Sequence, residues 1–334
     1  MNRKKSGCSS LCLILALVIA GAGLWRLWST MDVPEAGAYA EADQAIAAFA
    51  EANGLSLRDY PEERFLLEEI VRAAEDFDVI CSFNGKTFDL PLLKNRFIMN
   101  RIRTTCLDKP HIDLLHIARR VWKLRLKKCN LGRLEEAVLG ICRVGDIPGA
   151  EVPQRFFSYL KTGQFCLLNE VIEHNAQDIA SLCVLLGHMA HIYEHPEEAR
   201  HGEDVFSMGV ALERMKHPEE ARRCYRLAMH GSMRTQGQLR LAVSYRRAGD
   251  RAQAKEIWQA MVMRREGGVT PYIELAKHYE HIEKDIPAAL EMTRRALMLL
   301  AEPTLFDDQA VQETRNAVQY RYDRLKSRLA KKEQ

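Results

Sequence analysis

The chain has 334 residues, 47% of them hydrophobic and 28% charged, a globular composition with room for two domains that excludes a disordered or low-complexity protein. A net charge of +3 is too mild to single out a polyanionic partner by itself. Nine cysteines, without a C-x-x-C pair or a Cys/His cluster at zinc spacing, exclude a disulfide scaffold and a zinc module, and their apolar settings point to buried thiols in a reducing, cytoplasmic compartment.

The first 30 residues join a basic start, MNRKK, to the apolar run LCLILALVIAGAGLW. The pattern is that of a leader or membrane anchor over 1–30, with membrane contact through 11–28. Residues 31–56 are Ala- and Glu-rich, with Ile46 and Phe49 at helical spacing and Asn53-Gly54 as a stop, and read as a helical linker. A turn at Arg58-Asp59-Tyr60-Pro61 opens a helix over 61–74, with Phe65, Leu66, Ile70 and Val71 on its apolar face.

Next comes the short apolar run Asp78-Val79-Ile80-Cys81-Ser82, followed by FNGKTFDLPLL over 83–93. It reads as a strand, a loop carrying Asn84 and Asp89, and a helix. Open α/β sheets place ligands at the carboxyl ends of such strands, which makes Asp89 a candidate metal-binding carboxylate. The helix over 90–103 is followed by a short strand at His111-Ile112-Asp113. A further helix over 115–126 carries Arg119, Arg120, Lys123 and Arg125 and runs on to Lys127 and Lys128. This most basic part of the chain flanks the candidate carboxylates, as a phosphate-contacting surface would. Residues 130–139 read as a capped helix, and helical segments over 156–160, 167–176 and 178–193 contain EHNAQDIASL, where His174 and Asp178 share a helix face.

Beyond Glu203 the pattern becomes repetitive. Gly209 and Ala221, Ala242 and Ala254, and Ala276 and Ala289 are paired small residues recurring near the ~34-residue period of a tetratricopeptide repeat. Ala228, Met261 and Ala296 follow each pair by seven residues, and His217-Pro218, Gly249-Asp250 and Lys284-Asp285 mark turns. Such residues suit close helix packing in repeats over 203–300, and 305–334 read as a charged capping helix.

Two-ion phosphodiester hydrolysis requires carboxylates converging on metals ~3.5–4 Å apart and a group that orients or deprotonates water. Asp89, Asp178 and His174 are residue types suited to those duties, and Asn84 could contact a nucleotide or hold its loop.

In this order, FNGKTFDLPLL, HIDLLHIARRVWK and HNAQDIASL resemble the bacterial YprB-type family, a branch of the ribonuclease H-like 3'-5' exonucleases, over roughly 57–190. The resemblance implies an α/β ribonuclease H-like domain over 57–195 and two Mg2+ or Mn2+ ions. It places Asp89 and Asp178 as second- and third-motif ligands and His174 at the water. Asn84, Lys86 and Asp113 are expected at the substrate, DNA or RNA. Some members carry tetratricopeptide repeats after the nuclease region, which here would take a protein partner. The superfamily's first motif, Asp-x-Glu on an apolar strand, is not found before Arg58; Asp32 and Glu35 are one residue too far apart. The expected domain therefore lacks its amino-terminal hairpin strands. The two functional expectations are a metal-dependent 3'-5' exonuclease and a catalytically inactive binding scaffold.

Overall fold

The computed structural model describes residues 13–14, 60–75, 77–143, 151–301 and 309–331. The expected leader, apart from Leu13–Ile14, and the expected linker lie outside them. Among the described residues no helix is long and apolar enough to cross a membrane. The chain divides into two compact units, Met1–His191 and Ile192–Gln334.

The first unit contains a parallel sheet in the order β1 (Leu13–Ile14), β2 (Ile80–Ser82), β3 (His111–Asp113). Leu13 stands opposite Ile80, and Ser82 opposite Asp113. Two residues of the apolar run expected as a leader thus form a sheet strand. Helix α1 (Tyr60–Glu75) precedes β2, α2 (Asp89–Met99) follows it, and α3 (Leu114–Leu126) follows β3.

Helical spacing explains the packing of α1, because Leu67, Ile70 and Ala74 lie on one stripe and are buried against Ile80, Leu90, Leu93 and Phe97. The Lys109 ammonium donates to the carbonyls of Ala74 and Phe77, satisfying the carboxyl-terminal turn of α1. On α3, Leu114, Leu115, Ala118, Val121 and Trp122 are buried. Arg119, Arg120, Lys123, Lys127 and Lys128 are exposed.

A short α4 (Leu131–Leu134) passes into a π-helical turn, Glu135–Leu139, and ends at Gly140. Gly140 has φ 71°, the left-handed region open to glycine, and the chain reverses there. Among the described residues this unit continues with α5 (Val152–Thr162), a 3-10 turn (Phe165–Leu168) and α6 (Asn169–Glu194), whose last turn runs past the boundary between the units at His191. Val152, Leu168 and Val171 form a small core with Tyr159, Phe165 and Ile172. No disulfide joins the described cysteines; Cys81, Cys106, Cys129 and Cys224 are buried, whereas Cys142, Cys166 and Cys183 are exposed.

The second unit is helical: α7 (Gly202–Arg214), α8 (Pro218–Ala228), α9 (Arg234–Arg247), α10 (Arg251–Arg264), α11 (Thr270–His278), α12 (Ile286–Ala301) and α13 (Gln309–Ala330), each packed on the next. Lys216, Gly249 and Lys284 have φ of 67°, 88° and 58° and reverse the chain between paired helices. The small residues are buried at the contacts: Ala221, Ala242, Ala254, Ala276 and Ala289 have no exposed surface. A Cβ at Gly209 would stand 2.7 Å from the Tyr225 ring, so that contact requires glycine. Buried Glu280 accepts from Arg321, Arg324 and Arg328, which fastens α13 to the preceding hairpin.

Candidate functional site

The loop between β2 and α2 is built around Asp113, at the end of β3. Asp113 Oδ1 accepts from the backbone N–H of Asn84 at 2.9 Å and from that of Leu115 at 3.1 Å, and Oδ2 accepts from the Lys86 N–H at 3.1 Å. The side chain is 1% exposed and caps α3. Although expected at the substrate, Asp113 directs both oxygens into the protein and supports the loop.

The Asn-Gly step has a steric cause. Asn84 takes φ 69°, which asparagine tolerates better than most residues. Its Oδ1 accepts from the Thr87 hydroxyl at 2.8 Å. The Gly85 N–H donates to Ser82 Oγ at 3.1 Å, and a Cβ on Gly85 would lie 2.5 Å from that oxygen. Ser82 Oγ also lies 2.7 Å from His111 Nε2. Burial lowers the His111 pKa, Asp113 opposes the shift, and the charges of Lys86 and His116 reinforce it. The Lys86 side chain projects into solvent from this loop.

Asp89 opens α2 and is partly buried. Its pKa is raised to about 6, first by desolvation; a hydrogen bond from its own backbone amide pulls down and the Asp113 charge pushes up further. Asn84, Lys86, Asp89 and Asp113 therefore form one junction at the carboxyl ends of β2 and β3.

Asp178 and His174 belong to a second cluster, on α6. Arg143, delivered by the reversal at Gly140, donates from Nε and Nη2 to Glu135 Oε2 and Oε1, both at 2.6 Å. Its Nη2 also donates to Asp178 Oδ1 at 2.5 Å, and Nη1 lies 3.2 Å from His174 Nδ1. The Ser181 hydroxyl donates to Glu135, whose side chain is 1% exposed. Burial opposes the charge of Arg143, and hydrogen bonds and attraction to Glu135 and Asp178 outweigh it, raising the pKa above the usual arginine value.

Sequence reasoning missed Glu135, Arg143 and Ser181. The available signal is Glu135 itself: with Leu131, Leu134 and Val138 it occupies the apolar helical register, and a carboxylate there requires a buried cation.

A pair of divalent ions needs several carboxylate oxygens turned toward a common point. Asp113 spends its oxygens on backbone N–H groups, and Asp178 and Glu135 converge on a guanidinium. Among the described residues no group of three or more His, Cys, Asp or Glu side chains could hold a metal ion. The residues described here therefore do not fit the superfamily's two-ion centre as arranged.

A family model of the RNase H superfamily, RNase_H_2, matches residues 39–190. The chain is 31% identical over 229 residues to the uncharacterized protein YprB of Bacillus subtilis (strain 168), an alignment covering 66% of this chain and 55% of that protein. The chain thus spans little more than half the length of this curated relative. No solved structure matches.

Proposed function

From a chain that belongs, through residues 39–190, to the RNase H superfamily in its YprB-type branch, we propose a nuclease-like protein that engages nucleic acid at the β2–α2 loop and along α3. The observation that carries this reading is the Asp113 junction. One buried carboxylate fixes both the Asn84–Lys86 loop and the amino terminus of α3. That helix leads away from the loop with Arg119, Arg120 and Lys123 exposed and without carboxylate partners among the described residues. Exposed cations at helical spacing suit a sugar-phosphate backbone, whose negative charges repeat along the strand. Asn84 and Lys86 would meet the substrate at the loop, with Asp113 behind them as a positioning residue. Binding of a labelled single-stranded oligonucleotide tests this reading, and a wild-type chain that binds neither DNA nor RNA at low salt overturns it.

A second reading is hydrolysis from the 3' end with Mg2+ or Mn2+, for which Asp89 would be a ligand and the Asp178–His174 cluster, held by Arg143 in this structure, would have to open before Asp178 could join it and His174 could meet water. It is favoured by the position of Asp89, a desolvated carboxyl at the strand ends where α/β sheets place their chemistry. It requires Arg143 to leave Asp178. Manganese-dependent turnover lost in Asp89→Asn supports it, and equal turnover in both proteins counts against it.

For the helical unit we propose tetratricopeptide-type repeats that recruit a protein partner. Equivalent contacts recur in register: Arg222 lies over the Tyr245 ring and Lys255 over the Tyr279 ring, each 5.2 Å from the centroid. The spacing of these tyrosines in the sequence matches that of the buried alanines Ala242 and Ala276.

A further inference from the structure

The Arg143 guanidinium stands at the centre of the cluster on α6. Three side chains of metal-ligand type, Glu135, Asp178 and His174, meet on it at 2.6, 2.5 and 3.2 Å. We infer that Arg143 is the resident cation of the Asp178–His174 cluster and that this cluster, in the native fold, binds no divalent ion.

Three observations carry the inference. The contact with Glu135 is a two-toothed fork, Nε to Oε2 and Nη2 to Oε1, the geometry in which guanidinium and carboxylate pair most strongly. Seclusion adds to it: the side chains of Glu135, Arg143 and Asp178 are 1%, 15% and 24% exposed, so the attraction is poorly screened by solvent and an incoming dication would meet a fixed like charge. The third is the state of His174. Arginine has donors only, so His174 Nδ1 accepts from Nη1, which puts the ring proton on Nε2, 3.7 Å from Asp178 Oδ2. In that arrangement the basic lone pair of His174 already has a partner and is unavailable to a water molecule.

The chain context fits a built site. Gly140, left-handed at φ 71°, turns the chain after the π-helical turn and brings Arg143 back over Glu135. The Ile141 N–H donates to the Glu135 carbonyl at 2.9 Å, fixing the return. Asp178 and Ser181 then contact the same guanidinium–carboxylate pair from successive turns of α6.

The inference takes Asp178 as the third-motif carboxylate of the superfamily, and its test uses no nucleic acid, so its failure is separable from failure of the proposed substrate. Mn2+ binding is followed by electron paramagnetic resonance in the whole chain as wild type, Asp178→Asn, Arg143→Ala and Arg143→Gln. The expected result is that wild type and Asp178→Asn bind Mn2+ alike. An arginine variant that folds by circular dichroism should bind at least tenfold more tightly, a gain abolished by adding Asp178→Asn. Arg143→Gln keeps hydrogen-bonding capacity should Arg143→Ala fail to fold. Mn2+ binding by wild type that falls tenfold in Asp178→Asn overturns the inference, and that comparison needs no arginine variant.

Discussion

Asp113 Oδ1 accepts the backbone N–H of Asn84 at 2.9 Å, joining residues 29 positions apart. Through this bond the end of β3 holds the loop that begins where β2 stops. Asp113→Ala removes the acceptor for three backbone N–H groups and the cap of α3, a loss of about 3 kcal/mol. Asp113→Asn keeps one acceptor oxygen and should lose about half as much. Thermal unfolding of the two variants beside wild type checks the order; equal melting temperatures for all three would show that the junction does not hold the loop.

The tight turn at Gly85 makes a sharper steric prediction. A methyl group there would lie 2.5 Å from Ser82 Oγ and 2.7 Å from Ser82 Cβ, so Gly85→Ala must displace backbone and should cost about 1–3 kcal/mol. Asn84→Gly, which keeps access to the left-handed region and loses only the Thr87 contact, should cost less. Denaturant midpoints would separate them, and Gly85→Ala matching wild type would contradict the packing described.

Asp89 gives stability a pH dependence of defined sign. Its pKa rises from the ordinary 3.8 to about 6 in the folded chain, chiefly through desolvation, so the native state holds a proton that the unfolded state releases between these values. The Asp89 contribution is greatest below pH 4 and is lost as pH rises toward about 6. Asp89→Asn should therefore be near neutral at pH 4 and stabilising by up to about 2 kcal/mol at pH 8. Melting curves of both proteins across that range check it; a difference that does not grow with pH would refute the burial of Asp89.

Removing Arg143 leaves Glu135 buried without its main counter-charge. Arg143→Ala should destabilise the first unit by about 3–5 kcal/mol, because an unpaired buried carboxylate costs more than the pair contributes. Pairing it with Glu135→Gln should recover part of the loss, a coupling that a double-mutant cycle measures. Strict additivity would mean that the two groups do not interact.

The β2–α2 part of the site was legible because its causes are local. An apolar run, an Asn-Gly step and a carboxylate before a helical pattern dictate a strand, a turn and a helix, although the helix begins at Asp89 itself and ends at Met99, short of the expected Arg103. Asp113 was found but not its duty: from the sequence its oxygens could face substrate, and only the pairing of β2 with β3 turns them to the Asn84 and Lys86 amides. The Arg143 cluster was not legible. Its members are 31 to 46 positions distant from their partners on α6, and no local spacing links Arg143 to Asp178 or Glu135 to Ser181. In the second unit the small residues announced the close helix contacts, since a packed interface between neighbouring backbones admits little else.

The central claim, that α3 carries a nucleic-acid backbone toward the Asn84–Lys86 loop, is tested most directly by the salt dependence of oligonucleotide binding. Arg119→Ala, Arg120→Ala and Lys123→Ala combined should weaken binding of a labelled single strand at least tenfold. They should also flatten the plot of log affinity against log salt by about 2, the loss of roughly three phosphate contacts. A triple variant with wild-type affinity and wild-type salt slope would contradict the account.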